Sequence, residues 1–119
     1  MGVEYDEELS QQLRELSERG GTAKLADLTD FPWDQVHVFS EGATAEEVER
    51  VVNEPVLSDE RYYDAGNLLV FVHDSDVTAA VSVLPDLLVT GGEPTWDSDT
   101  VLEPRSDRRP ATLRLTEPA

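Results

Sequence analysis

The stretch from Leu68 to Leu84 constrains the fold of this chain most strongly. Its first part, LLVFVH, is the most hydrophobic run of the sequence, and its last part, VTAAVSVL, has apolar residues at alternate positions. A period of two is typical of a β-strand, and the intervening Asp74-Ser75-Asp76 is typical of a tight turn. The stretch therefore predicts a β-hairpin, so the fold has to contain an antiparallel sheet.

Two other segments have helical periodicity. The first predicted helix covers about residues 4–19 and ends at Gly20-Gly21, because glycine is favoured just after a helix. Its apolar stripe recurs every three or four residues: Tyr5, Leu9, Leu13 and Leu16. The acidic residues on its outer face are typical of a solvated surface.

The second predicted helix covers about residues 44–53. Thr44 and Glu47 have the spacing of a capping box, and Asn53 and Pro55 follow the last turn. Its apolar residues at helical spacing are Val48, Val51 and Val52. Two short segments lie between the helices. Residues 22–28 are predicted to form a short helical turn. Residues 35–39 are rich in β-branched and aromatic residues and are predicted to form a strand.

These elements predict an α+β fold, with two helices packed on one face of a small, mostly antiparallel sheet in the order α-β-α-β-β-(β). The expected sheet core is Val36, Val38, Leu68, Val70, Val72, Val81 and Val83, or the opposite parity of the same strands. We expect residues 1–90 to form the core domain. Residues 91–119 are expected to be irregular, with one or two short edge strands at 101–102 and 111–116.

The strongest compositional feature is acidity. The chain has 26 acidic and 9 basic residues, which gives a formal net charge of −17. Such a charge repels nucleic acids and anionic membranes and attracts a basic protein, so we expect a basic protein partner and no nucleic acid. The acidity has two alternative origins. Lys24 is the only lysine, as in proteins from GC-rich genomes, and an acidic composition is also typical of salt adaptation.

Several classes of site and location are unsupported by the sequence. The chain has no cysteine, which excludes a disulfide, a thiol nucleophile and a cysteine-ligated metal. It has neither an apolar run of membrane-spanning length nor a recognisable signal peptide. We therefore expect a cytoplasmic protein, or the soluble part of an exported one if a leader was removed. The oligomeric state is left open.

The residues that carry chemistry are few. His37 and His73 could share one face of the predicted sheet, but a zinc site needs three or four ligands. The Asp-Ser-Asp runs at 74–76 and 97–99 are typical turn formers. No pattern of a nucleophile beside a base is present. We therefore expect no enzymatic activity, no catalytic residue, no metal and no cofactor.

Aromatic residues in predicted loops are the candidate interaction site. Exposed aromatic rings beside carboxylates are typical of an interface, because the rings provide contact area and the charges steer a basic partner. The candidate residues are Trp33, Tyr62, Tyr63, Trp96, Asp59 and Glu60. The alternative is that the rings close the ends of a small core, which we favour for Trp33 and leave open for the tyrosines.

The segment from Leu25 to Phe39 contains LADLTDF, then WD, then VHVF. This run resembles a family of small uncharacterised bacterial proteins, often envelope-associated, with the pattern LxxLTDFxWDxxYVF. The resemblance covers about residues 22–84. Two positions depart from it, since His37 replaces a tyrosine and Glu41-Gly42 replaces Pro-Tyr. The resemblance implies a bacterial protein and no particular activity.

Together these features predict a non-enzymatic acidic module that binds a basic protein, as inhibitors and immunity proteins do. The alternative is an exported or envelope-associated domain that recognises a small ligand or a cell-wall component. That alternative requires a concave pocket near Trp33, Tyr62 and Tyr63.

Overall fold

A computed structural model describes residues 3–40, 42–57, 60–62, 66–83, 88, 95–105, 107 and 111–116. These residues form a small α+β fold with two mostly antiparallel sheets, which confirms the predicted fold class and, roughly, the predicted order. The elements in chain order are β1 (Glu4–Tyr5), α1 (Glu7–Arg19), β2 (Ala23–Lys24), a 3-10 helix (Leu25–Leu28), β3 (Gln35–Phe39), α2 (Ala45–Val52), β4 (Asn67–His73), β5 (Asp76–Val83), β6 (Thr95–Asp97), β7 (Val101–Pro104) and β8 (Leu113–Thr116). No helix within these residues is both long and apolar enough to cross a membrane.

The larger sheet has five strands in the order β1-β5-β4-β3-β6. β4 and β5 form the predicted hairpin, and its turn residues Asp74 and Ser75 have φ values of 50° and 70°. Positive φ at both positions is what a two-residue turn of type I′ requires. β3 pairs antiparallel with β4 and β6, whereas β1 pairs parallel with β5. β1 and β6 are therefore the edge strands of this sheet.

The pairing of β4 with β5 contains a β-bulge at Thr78. Phe71 pairs with Ala79 and Val72 pairs with Val77, so Thr78 is the extra residue. In a regular strand Val77 and Ala79 would point to the same face of the sheet. The bulge instead places Val77 on the opposite face from Ala79. Thr78 also donates through its hydroxyl to the carbonyl of Phe71 at 3.3 Å.

The smaller sheet has the order β2-β7-β8, so it joins one strand from the first quarter of the chain to two strands near the C-terminus. Its strand β8 is an edge strand, whereas β7 pairs with β2 on one side and β8 on the other and is therefore the central strand, not one of the edge strands expected for this part of the sequence. Leu102 on β7 and Leu113 on β8 are fully buried and belong to the same apolar cluster as α1. The expected division of the chain into a core domain, residues 1–90, and a C-terminal segment, residues 91–119, stays a prediction.

The larger sheet is covered on both faces, and this corrects the predicted arrangement of the helices. Leu13 of α1 packs in one cluster with Leu69 and Phe71, whereas Val48 of α2 packs in a second cluster with Val70. Successive residues of a strand point to opposite faces, so α1 and α2 lie on opposite sides of the sheet and not on one face. Side chains on both faces of the central strand β4 are therefore buried in the core.

Helix α1 begins three residues later than predicted. Asp6 is its N-cap, and the Asp6 side chain accepts a hydrogen bond from the backbone N–H of Leu9 at 2.9 Å. Tyr5 therefore belongs to β1 and not to the apolar stripe of the helix. The predicted end of the helix is confirmed, with Gly20 in the left-handed conformation at φ 83°.

Helix α2 begins and ends at the predicted signals. The Thr44 hydroxyl accepts from the backbone N–H of Glu47 at 3.0 Å, and Asn53 caps the other end at φ 64°. Val48 and Val52 are buried, whereas Val51 is 43% exposed. The apolar stripe is thus narrower than predicted.

Candidate functional site

The structure places Trp33 inside the core. Its side chain is 7% exposed, its indole N–H donates to the Thr29 hydroxyl at 2.9 Å, and its ring packs edge-on against Phe71 with centroids 5.0 Å apart. A half-buried residue, Trp96, packs against the same cluster. Burial of Trp33 agrees with the core-closing role that the sequence favoured for it.

Tyr62 lies on the other face of the sheet. Its side chain is 2% exposed within the α2 cluster, and its hydroxyl donates to the carbonyl of Asn67 at 3.4 Å. Glu60 is exposed, whereas Asp59 and Tyr63 lie outside the described residues. The structure therefore separates Trp33 from Tyr62 by the thickness of the sheet, and these two rings do not line a common pocket. The interaction role assigned to this set stays a prediction.

The exposed aromatic ring is that of Tyr5. Its side chain is 54% exposed, whereas the other described phenylalanine, tyrosine and tryptophan side chains are buried or half-buried. The position of Tyr5 follows from the N-cap at Asp6, which ends β1 and starts the helix. Sequence reasoning missed Tyr5 because its spacing to Leu9 fits a helical stripe. The signal that indicates the boundary is Asp6 followed by Glu7 and Glu8, which is typical of a cap and an acidic first turn.

Tyr5 borders an open groove along the outer side of α1. We call it the Tyr5 groove; it has a volume of about 460 Å³. Its lining residues are Tyr5, Glu7, Ser10, Gln11, Arg14, Glu15 and Glu18. The three glutamates and Arg14 are exposed to solvent, so the groove combines one aromatic ring, three carboxylates and one guanidinium group.

Among the described residues, no arginine lies within 4.0 Å of a carboxylate of the groove. The arginine–carboxylate pairs within 4.0 Å among the described residues are Arg50–Glu46 at 3.1 Å and Arg114–Glu103 at 2.6 Å. Neither pair includes a residue of the Tyr5 groove. The negative potential at the groove therefore acts outward on approaching molecules.

A second recess lies on the other side of the start of α1 and has a volume of about 190 Å³. Two of its polar side chains already have partners, since Asp6 caps the helix and the Gln12 amide donates to the carbonyl of Leu28 at 3.3 Å. The Tyr5 groove is the larger of the two and borders the exposed ring of Tyr5, so we take it as the candidate functional site.

The two histidines face opposite sides of the sheet. His37 pairs with Val70 in the register of β3 and β4, and this register places it on the α2 side. Its Nδ1 lies 2.8 Å from the Thr95 hydroxyl oxygen, and burial lowers the pKa of its imidazole. His73 lies at the hairpin turn, with its Nε2 3.4 Å from a carboxylate oxygen of Asp74. In the described ranges, no three potential metal ligands cluster.

Comparison with protein-family models, with curated proteins and with solved structures found no match to this chain. The resemblance of residues 22–84 to a bacterial family therefore stays a prediction. The candidate site stands on its geometry and electrostatics.

Proposed function

We propose that this protein is a non-enzymatic interaction module that binds a basic protein through the Tyr5 groove. The observation that carries the proposal is the 54% exposure of Tyr5 beside three solvent-exposed glutamates. Exposed tyrosines are over-represented among the residues that contribute most to binding energy, because a rigid ring buries a large area at low entropic cost. The proposed site thus combines an aromatic ring that supplies contact area with surrounding carboxylates that attract a basic partner.

The charge distribution supports the same proposal. The net charge of −17 attracts a cationic protein over distances of about one Debye length, roughly 8–10 Å at physiological salt. In the part of the chain that the structure describes, no aspartate or glutamate is buried, so their charges act from the surface. Attraction of this kind raises the association rate more than it slows dissociation.

The test is capture of a partner from a lysate of the source organism at low salt, followed by kinetic measurement with the purified partner. We expect a basic protein whose association rate falls steeply with added salt. Tyr5→Ala is expected to weaken binding by about tenfold or more, as is typical of an aromatic anchor.

A matched pair of triple variants separates the Tyr5 groove from the general charge. One variant replaces groove glutamates: Glu7→Gln, Glu15→Gln and Glu18→Gln. The control removes the same charge from α2: Glu46→Gln, Glu47→Gln and Glu49→Gln. The groove variant is expected to lose much more affinity than the control. Equal losses, or the capture of no basic protein, would contradict the proposal.

A further inference from the structure

We infer that protonation of His37 opens the edge strand β6, which stays paired with β3 while the imidazole is neutral and separates from it when the ring takes up a proton. The inference concerns the β6 edge of the larger sheet and is independent of the Tyr5 groove. It rests on the place of His37 between two strands, on the small number of groups that hold β6, and on the anchoring of the residues that follow β6.

His37 lies between β4 and β6, and its cross-strand neighbours are Val70 and Thr95. The backbone N–H of Ser98 donates to the carbonyl of Asp34 at 3.0 Å, so hydrogen-bonded and non-hydrogen-bonded pairs alternate from there along β3 and β6. His37 and Thr95 form a non-hydrogen-bonded pair, in which side chains lie closer together, and their side chains are in contact at 2.8 Å. Without β6, His37 would lie on an edge strand with one side of its ring open to water.

Burial opposes protonation of His37 while β6 is in place. The side chain is 6% exposed, and this burial lowers the pKa of the imidazole. The Thr95 hydroxyl can donate to a neutral Nδ1 or accept from a protonated one, so this contact is compatible with both forms of the ring. Separation of β6 restores water to the ring, and a proton on His37 therefore favours the open arrangement.

The charged groups on the elements around His37 lie mostly at the surface. On the same face of β3 and β4 its neighbours are uncharged: Gln35, Phe39, Leu68, Val70 and Val72. β6 contributes Asp97, which is exposed. The described charged residues of α2 and of the segment after it are exposed apart from the half-buried Glu54: Glu46, Glu47, Glu49, Arg50, Glu60 and Arg61. The carboxylate of Glu54 accepts from the backbone N–H of Val77 on β5, and the buried hydroxyl of Tyr62 donates to the carbonyl of Asn67.

Few groups hold β6 in the sheet. The strand has three residues and pairs with β3, and among the described strands none pairs with its other edge. Thr95 and Trp96 are half-buried and Asp97 is exposed. β4, in contrast, has seven residues, six of them buried, and pairs on both sides. A short edge strand of this kind can open at a much lower free energy than the whole fold.

Thr100 limits the opening on the C-terminal side of β6. It is 1% exposed, and its hydroxyl donates to the carbonyl of Thr116 at 2.9 Å. Its own carbonyl accepts from the backbone N–H of Leu25 at 3.2 Å. Because these partners belong to β8 and the 3-10 helix, separation of β6 leaves the smaller sheet in place.

Native-state hydrogen exchange on the full chain, at about pH 7.5 and 5.5, tests the inference. The backbone N–H of Trp96 reports on β6, that of Leu69 in the centre of the sheet reports on global unfolding, and that of Asp6 reports on the opposite edge. We expect Trp96 to be less protected than Leu69 at both pH values. After correction for the intrinsic exchange rate, its protection is expected to fall severalfold at the lower pH. One proton taken up near the ordinary pKa of 6.5 limits the fall to about tenfold.

Two variants assign the proton. His37→Gln keeps a side chain that can bond to Thr95 but does not titrate, so the protection of Trp96 is expected to be the same at both pH values. Asp97→Asn removes the ionisable group of β6 itself and is expected to keep the fall.

The native chain alone can overturn the inference, which matters if His37→Gln does not fold. Equal protection of Trp96 and Leu69 would mean that β6 opens only when the whole fold does. A similar fall at Asp6 would mean that acid loosens both edges of the sheet. Among the variants, a fall that persists in His37→Gln or disappears in Asp97→Asn would also overturn it.

Discussion

The imidazole Nδ1 of His37 lies 2.8 Å from the hydroxyl oxygen of Thr95, and this contact joins strand β3 to the edge strand β6. His37 is 6% exposed, and burial lowers its pKa below the ordinary value of 6.5. Its cross-strand partners Val70 and Thr95 carry no titratable group. The imidazole is therefore an internal base whose protonation opposes folding.

The first prediction concerns pH. Below pH 6.5 the unfolded chain binds more protons at His37 than the folded chain does, so stability falls as the pH falls. The stability that the neutral imidazole of His37 contributes is fully present above pH 6.5 and is lost as the pH falls toward the lowered pKa of the folded state. Urea unfolding between about pH 7.5 and 5.5 measures the slope. His37→Gln is expected to flatten this slope. An unchanged slope in His37→Gln would contradict the assignment.

The second prediction compares two valines of α2. Val48 is 0% exposed and Val51 is 43% exposed. Val48→Ala is expected to lower the free energy of unfolding by about 2 kcal/mol, through lost burial and a new cavity. Val51→Ala is expected to change it by less than about 0.5 kcal/mol, because alanine is also the better helix former. Chemical denaturation measures both, and similar losses would mean that α2 does not bury the face described.

The third prediction separates the two glycines after α1. Gly20 has φ 83°, where a Cβ is strained, whereas an added Cβ at Gly21 meets the flexible Arg19 side chain, with the nearest atom at 3.3 Å. Gly20→Ala is expected to lower the free energy of unfolding by about 1–2 kcal/mol, and Gly21→Ala by less than about 0.5 kcal/mol. The comparison is made by thermal unfolding. A larger cost at Gly21 would place the cap one residue later.

The fourth prediction concerns the proposed domain boundary at residue 90. The C-terminal strands β6, β7 and β8 pair with elements of the first 90 residues or cover them, and Leu102 and Leu113 are 0% exposed. The backbone N–H of Ala111 also donates to the carbonyl of Ser17 at 3.0 Å. A chain ending at residue 90 is expected to lose cooperative unfolding, because the cluster around α1 would be open to water. A cooperative transition at the stability of the full chain would instead support an independent domain.

Several elements can be predicted from the sequence alone, because they depend on the chemistry of neighbouring residues. Alternating apolar residues around an Asp-Ser pair predict the β4–β5 hairpin, and the capping residues Thr44 and Asn53 predict the limits of α2. The candidate site could not be predicted in this way. Tyr5 fits a helical stripe by spacing, and only the cap at Asp6 together with pairing to β5 places it in a strand.

The sequence by itself determined the α+β class, the hairpin, both helices and an acidic surface, because these depend on periodicity, caps and composition within short windows. Only the tertiary structure decided that α1 and α2 cover opposite faces, that Trp33 and Tyr62 are buried on different sides, and that Tyr5 is exposed. The physical reason is that face and exposure depend on strand register and on partners distant in the chain, such as Leu102 and Leu113.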